Sequence, residues 1–121
     1  MPHMLLIHEP VGQRATRSEL EGRALYERML GWGDELRERG LLLAAESLMG
    51  TEKSARVSIP GGKLRIVDGP FAEAKEMVGG FFLVDVDTHE EAVALAQACP
   101  AAEWATVEVR GLGPCFVRQA G

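Results

Sequence analysis

The apolar positions of this chain change their period several times, and each change predicts an element. Met4 to His8 is a short apolar run closed by Glu9-Pro10 and Gly12, the pattern of a strand with apolar side chains on both faces. The spacing then becomes helical. Ser18-x-x-Glu21 reads as a capping box, and Leu25, Met29, Trp32 and Leu36 follow on one stripe, with Glu21, Arg28, Glu35 and Arg39 on other faces. Gly40 offers the left-handed residue that ends such a helix. Gly31 and Gly33 each cost about 1 kcal/mol relative to Ala inside a helix, which marks them for close approach to another backbone. Tyr26 and Trp32 are expected in the core rather than on a stacking platform.

Three further strands are expected at Leu41 to Leu48, Arg56 to Ile59 and Leu64 to Val67, the last two joined by a Pro60-Gly61-Gly62 turn. Phe81 to Val86 carries the strongest strand pattern: Phe82, Val84 and Val86 share one face, Phe81 and Leu83 the other. Thr88-x-x-Glu91 is a second capping box ahead of Ala92, Val93, Leu95 and Ala96, and Pro100 blocks extension past Cys99. Trp104 to Val109 closes the series as a strand. The order β-α-β-β-β, connector, β-α-β predicts an α+β fold, a ferredoxin-like antiparallel sheet with two helices on one face. Residues 1–110 form one domain in this reading and 111–121 a C-terminal tail.

Two-sided apolar strands leave a question about the face that the helices do not cover. At about 25 cal/mol per Å² of apolar surface, a wet face would forgo several kcal/mol, a large share of a small domain's stability. A homodimer packed sheet to sheet is the expected solution, ahead of a loop or the tail folding over that face.

Charge narrows the partners. With 13 Lys+Arg against 18 Asp+Glu the chain is acidic, at −5, so clustered phosphate contacts and hence nucleic-acid binding are not expected. The first residues lack the basic region and cleavage site of a secretory signal and the apolar run is too short to span a bilayer, so no membrane association and a cytoplasmic location are expected. Cys99 and Cys115 are isolated, without the spacing of a disulfide framework or a zinc site. "GPFAEAKEMVGG" has neither the dinucleotide nor the Walker spacing, and no cofactor or metal is expected. His3 and His89 are expected in solvent, and His8 is placed at a strand end.

The candidate chemistry lies in "RIVDGPFAEAKEMVGGFFLVDVD", residues 65–87. Asp68 ends a strand and either caps the following turn or serves as a pocket acid; Pro70 presets the turn, Phe71 anchors the connector, and Gly79-Gly80 lets the chain re-enter the sheet tightly. Glu46, Lys75 and Glu76 are placed to converge with Asp68. The stretch Val67 to Glu76, Gly79-Gly80-Phe81 and Asp85-Val86-Asp87, together with "HMLLI", "ELRERGLLLAAESL" and "CPAAEWATVEVR", resembles the DGPF group of YCII-related proteins over nearly the whole chain. The resemblance implies a dimeric α/β-barrel built on the ferredoxin-like fold, and a family often associated with extracytoplasmic-function sigma factors, so that a protein contact with a sigma factor is one implied partnership. Some relatives in the wider superfamily use a His and an Asp for acid–base chemistry on small ring compounds. Here the first helix holds no histidine, so that dyad is not carried over.

Two readings follow. In one, the dimer binds a small molecule in a cleft beside the sheet, with His8, Glu46, Asp68, Phe71 and Glu76 as the ligand-binding set. In the other, it is a cofactor-free acid–base enzyme of lyase or isomerase type, with Asp68 as acid or base, Lys75 setting its charge and His8 or Glu46 assisting.

Overall fold

A computed structural model describes residues 1–117; the last four residues of the expected tail lie outside the described residues. Six strands and two helices follow the expected order: β1 (Pro2–Pro10), α1 (Glu19–Glu38), β2 (Leu42–Ser47), β3 (Ala55–Ser58), β4 (Arg65–Asp68), β5 (Glu76–Asp85), α2 (His89–Ala98) and β6 (Thr106–Gly111). Four strands form one antiparallel sheet in the order β2-β5-β1-β6, while β3 and β4 make a separate two-stranded hairpin. The fold is therefore α+β with an open sheet. β6 runs through Gly111, and Leu112 N–H still donates to Pro2 O at 3.1 Å, so the sheet reaches into the segment expected as tail.

Both helix starts follow from local chemistry. Ser18 accepts from Glu21 N–H at 3.1 Å and Glu21 returns the bond to Ser18 N–H at 3.1 Å, a complete capping box. That bonding holds the Glu21 carboxyl below the usual carboxylate range, the backbone N–H of Ser18 being the main cause. At α2, Thr88 accepts from Glu91 N–H, but the Glu91 side chain meets the Thr88 hydroxyl rather than the backbone. Gly40, at φ +72°, stops α1 in the left-handed region.

The core lies between the helices and one face of the sheet. Leu5, Leu36 and Val84 are fully buried there, and α2 adds Ala92, Leu95 and Ala96. Trp32 on α1 meets Phe82 on β5 edge to face, with centroids 4.9 Å apart, an arrangement that adds about 0.5–1.5 kcal/mol to burial alone. Gly33 faces the same ring, and a Cβ there would stand 3.4 Å from Phe82 Cε1, an ordinary contact; the approach is to a ring, not to another backbone, and nothing crowds Gly31. Tyr26 is half exposed, at 49%, rather than in the core, because it falls off the stripe that Trp32 and Leu36 share.

β1 is strictly alternating: His3, Leu5, Ile7 and Glu9 are buried on the helix side, while Met4, Leu6 and His8 are half-buried on the other. His3 is thus not in solvent; its Nδ1 lies 3.0 Å from Met1 O and its ring 6.2 Å from that of His89. On the helix-free face Met4 stands opposite Leu83 and Leu6 opposite Phe81, with Arg110 and Glu108 as their neighbours on β6.

Glu108 accepts from Arg110 Nε at 2.8 Å and has His8 Nε2 at 2.7 Å. Arg110 first, and His8 second, hold its carboxyl below the usual range. A depressed folded value means that this contribution to stability is present above the unfolded value, about 4.3, and is lost as pH falls through the folded one. Carbon-detected NMR should place the Glu108 midpoint below about 4.3 and move it upward in Arg110→Ala; a midpoint that ignores the loss of the guanidinium would rule out Arg110 as the cause.

Candidate functional site

The principal cavity lies between α1 and the helix-facing side of the sheet, with a volume of about 690 Å³. Its floor comes from Ile7 and Glu9 on β1, Ala45 on β2 and Gly79, Gly80 and Phe82 on β5; Leu25, Tyr26 and Met29 on α1 form the opposite wall. Trp104 stands on the lining beyond α2. Arg28 ties that end to α1, stacking 5.4 Å above the Trp104 ring and donating to Glu103, whose carboxyl it holds low. Arg28 thereby links α1 to the turn at Pro100–Glu103 and to Trp104, which follows it.

Glu9 is the unusual residue of this floor. It is 5% exposed and lies at the inner edge of the cavity, with Arg14 Nε 2.5 Å from its Oε1. The contact is ionic rather than a directed hydrogen bond, since no donor is aligned on Oε1. Arg14 Nη2 also reaches Gly79 O, at 3.4 Å.

A register shift opens the room for this carboxylate. Ile7 pairs with Gly80 and His8 with Val78, so that Gly79 is the extra residue of a bulge. A side chain at Gly79 would collide with Glu9 Oε2 and come within 2.8 Å of its Cδ. At Gly80 a Cβ would stand 2.9 Å from the Glu46 carbonyl oxygen, where β2 approaches β5. The glycine pair thus serves both the tight return into the sheet and the buried acid beside it.

The residues singled out from sequence are spread over three places. Glu46 reaches the rim of the cleft, although its register opposite Phe81 puts its side chain with the helix-free face. His8 and Glu76 line a smaller depression of about 390 Å³ at the same end of β1, beside Trp104. Asp68, Phe71 and Lys75 lie with the hairpin and its connector. Asp68 is exposed at the end of β4, and its carboxylate has no hydrogen-bond or ion-pair partner among the described residues.

Its neighbours explain the connector. Gly69 N–H donates to Ser54 O at 2.8 Å, and a Cβ at Gly69 would collide with the Thr51 carbonyl oxygen. Phe71, 7% exposed, is covered by the Arg56 guanidinium 3.7 Å above its ring. The Lys75 side chain is exposed, while its carbonyl accepts from Val11 N–H.

Sequence reasoning missed Glu9 and Arg14. A signal for Glu9 was present: His3, Leu5, Ile7 and Glu9 keep one period of two, so a strand extended to Pro10 carries the acid onto the buried face. Nothing in the pattern marks Arg14, which sits on a single turn, Arg14–Thr16. Among the described residues no group of three His, Cys, Asp or Glu side chains is placed to hold a metal ion, and no helix is long and apolar enough to cross a membrane. Cys99 is buried, which pushes its thiol up from the ordinary value, and Cys115 is exposed.

A known family matches the chain over most of its length. The model of the YCII-related domain covers residues 1–114, and the chain belongs to that family. It is also similar to an uncharacterised protein of Rhizobium meliloti (strain 1021), 37% identical over 60 residues, which make up 50% of this chain and 48% of that protein. The chain spans about half the length of that curated relative.

Proposed function

We propose that this YCII-related protein is a homodimer of the DGPF group that binds a small molecule in the cleft between α1 and the sheet. The observation that carries the binding reading is a cavity of about 690 Å³ with a buried, charge-paired carboxylate at its floor and walls that mix Leu25, Met29 and Phe82 with charged side chains such as Arg17, Arg23 and Arg37. A concavity that combines apolar surface with convergent polar groups is the usual form of a small-molecule site. The "VDGPFAEAKE" motif supports the DGPF group, and the strand order supports the ferredoxin-like class; the link to sigma factors rests on that resemblance alone. The acid–base alternative needs Asp68, Lys75, His8 and Glu46 together, and they do not line one cavity.

Gly22 provides the test. It lies on the cleft wall of α1, and a Cβ there meets nothing within 4 Å, so Gly22→Phe starts from open space and adds a ring at the cleft wall. Replacing a helical glycine also removes up to about 1 kcal/mol of helix penalty. The variant should melt no lower than the parent, yet lose binding of anilinonaphthalene sulfonate and any ligand retained through purification. Undiminished binding in the folded variant would remove the cleft from consideration.

The dimer reading is supported by the helix-free face. Met4, Leu6, Phe81 and Leu83 form an apolar centre there, and Glu46, Glu108 and Arg110 stand at its flanks, the distribution of an interface core and polar rim.

A further inference from the structure

Resting on the dimer reading above, we propose that the β3–β4 hairpin is an arm that each copy of this chain lays on the margin of the other copy's helix-free face. β3 and β4 pair only with one another, and every residue of both strands is exposed. A two-stranded hairpin is marginally stable in water by itself and needs a surface to pack on. One of its faces has such a surface within its own chain: Arg56 lies 3.7 Å above the Phe71 ring and 3.7 Å from Glu73. The other face has none. Val57 stands opposite Ile66, and the period of two carries Ile59 and Leu64 onto the same side; all four are 58–65% exposed. At about 60–120 Å² for a whole aliphatic side chain, they leave roughly 150–300 Å² of apolar surface in water.

Charge selects a second copy as the occupant. Residues 53–67 hold Lys53, Arg56, Lys63 and Arg65 and no acid, so the arm carries +4 and the remainder of a chain that is −5 overall carries −9. An arm of that sign is drawn to the body of another copy, whereas two arms repel each other. The helix-free face offers apolar and acidic surface together at one corner. Val78, opposite His8, is 38% exposed and stands next along that face to Phe81. Glu76, opposite Pro10, and Glu46, opposite Phe81, flank it and have no ion-pair partner among the described residues. The arm leaves the sheet at this same corner, where β2 ends and β5 begins. A two-fold axis passing the corner therefore brings each arm to the matching surface of the other copy, the reciprocal contact of a closed dimer.

Isotope-filtered NOE spectroscopy on an equilibrated mixture of labelled and unlabelled full chain tests this. The methyl groups of Val57, Ile59, Leu64 and Ile66 should show contacts to Val78 and Phe81 of the other copy. Val57→Ser combined with Ile66→Ser should raise the dimer dissociation constant about tenfold or more in sedimentation equilibrium. Ser58→Gln, on the opposite face of the hairpin, should leave it unchanged. An arm with no contact to the other copy in a chain that sediments as a dimer, or a double variant that dimerises as tightly as the parent, would overturn the arm while the dimer reading stands. A parent chain that stays monomeric would remove both. Adsorption of the parent, but not of the double variant, to phosphatidylglycerol vesicles would overturn the proposal by assigning the apolar face to a lipid surface.

Discussion

At micromolar concentration the chain should sediment at about 26 kDa, twice its 13.1 kDa mass, and Leu6→Lys should reduce it to the monomer. Leu6 and Phe81 face each other across β1 and β5, and Met4 and Leu83 form the next row, so a lysine at position 6 enters the middle of the apolar centre. Stable interfaces bury about 800 Å² per partner, roughly the extent of one face of a four-stranded sheet. At about 25 cal/mol per Å² such a surface outweighs the loss of rigid-body freedom only if its centre stays apolar. A buried unpaired ammonium removes that margin. Leu20→Lys is the control: Leu20 is 78% exposed on α1, and its replacement should leave the mass unchanged. A parent chain that sediments at 13.1 kDa would refute the dimer.

Arg14→Ala should destabilise the fold by about 1–3 kcal/mol, and a second change, Glu9→Gln, should recover much of that loss. Glu9 is pinned beneath α1 by the sheet register and pressed against Gly79, so it cannot follow a lost partner into water. Breaking a fully buried pair costs about 3–5 kcal/mol. The smaller figure holds here because the Arg14 side chain is 37% exposed and water replaces part of its charge. Denaturant titration of the two single variants and the double variant measures the coupling. Simple additivity, with the double variant no more stable than Arg14→Ala, would mean that the pair is not energetically linked.

Much of the fold was legible because its signals are local. The capping box at Ser18 and Glu21, the stop at Gly40 and the alternation through Phe81 to Val86 each involve residues a few positions apart, where backbone geometry alone decides which groups meet. The apolar face behind Phe81 and Leu83 was legible for the same reason.

The connector was legible as a motif but not as a place. Gly69 is required by Thr51, and Phe71 is covered by Arg56, partners that the hairpin supplies from outside the motif. The motif alone leaves Asp68 open between a turn cap and a pocket acid, and the structure sets it exposed at a hairpin end, away from the cleft.

By itself, then, the sequence determined the elements, their order and the two-sided character of the sheet, because side-chain period and capping depend on near neighbours. Only the tertiary structure decided that Glu9 is buried, that Arg14 meets it and that a cleft opens above them. Those outcomes depend on how β1 registers against β5 around the Gly79 bulge and on where α1 crosses the sheet, and both are set by contacts between residues far apart in the chain.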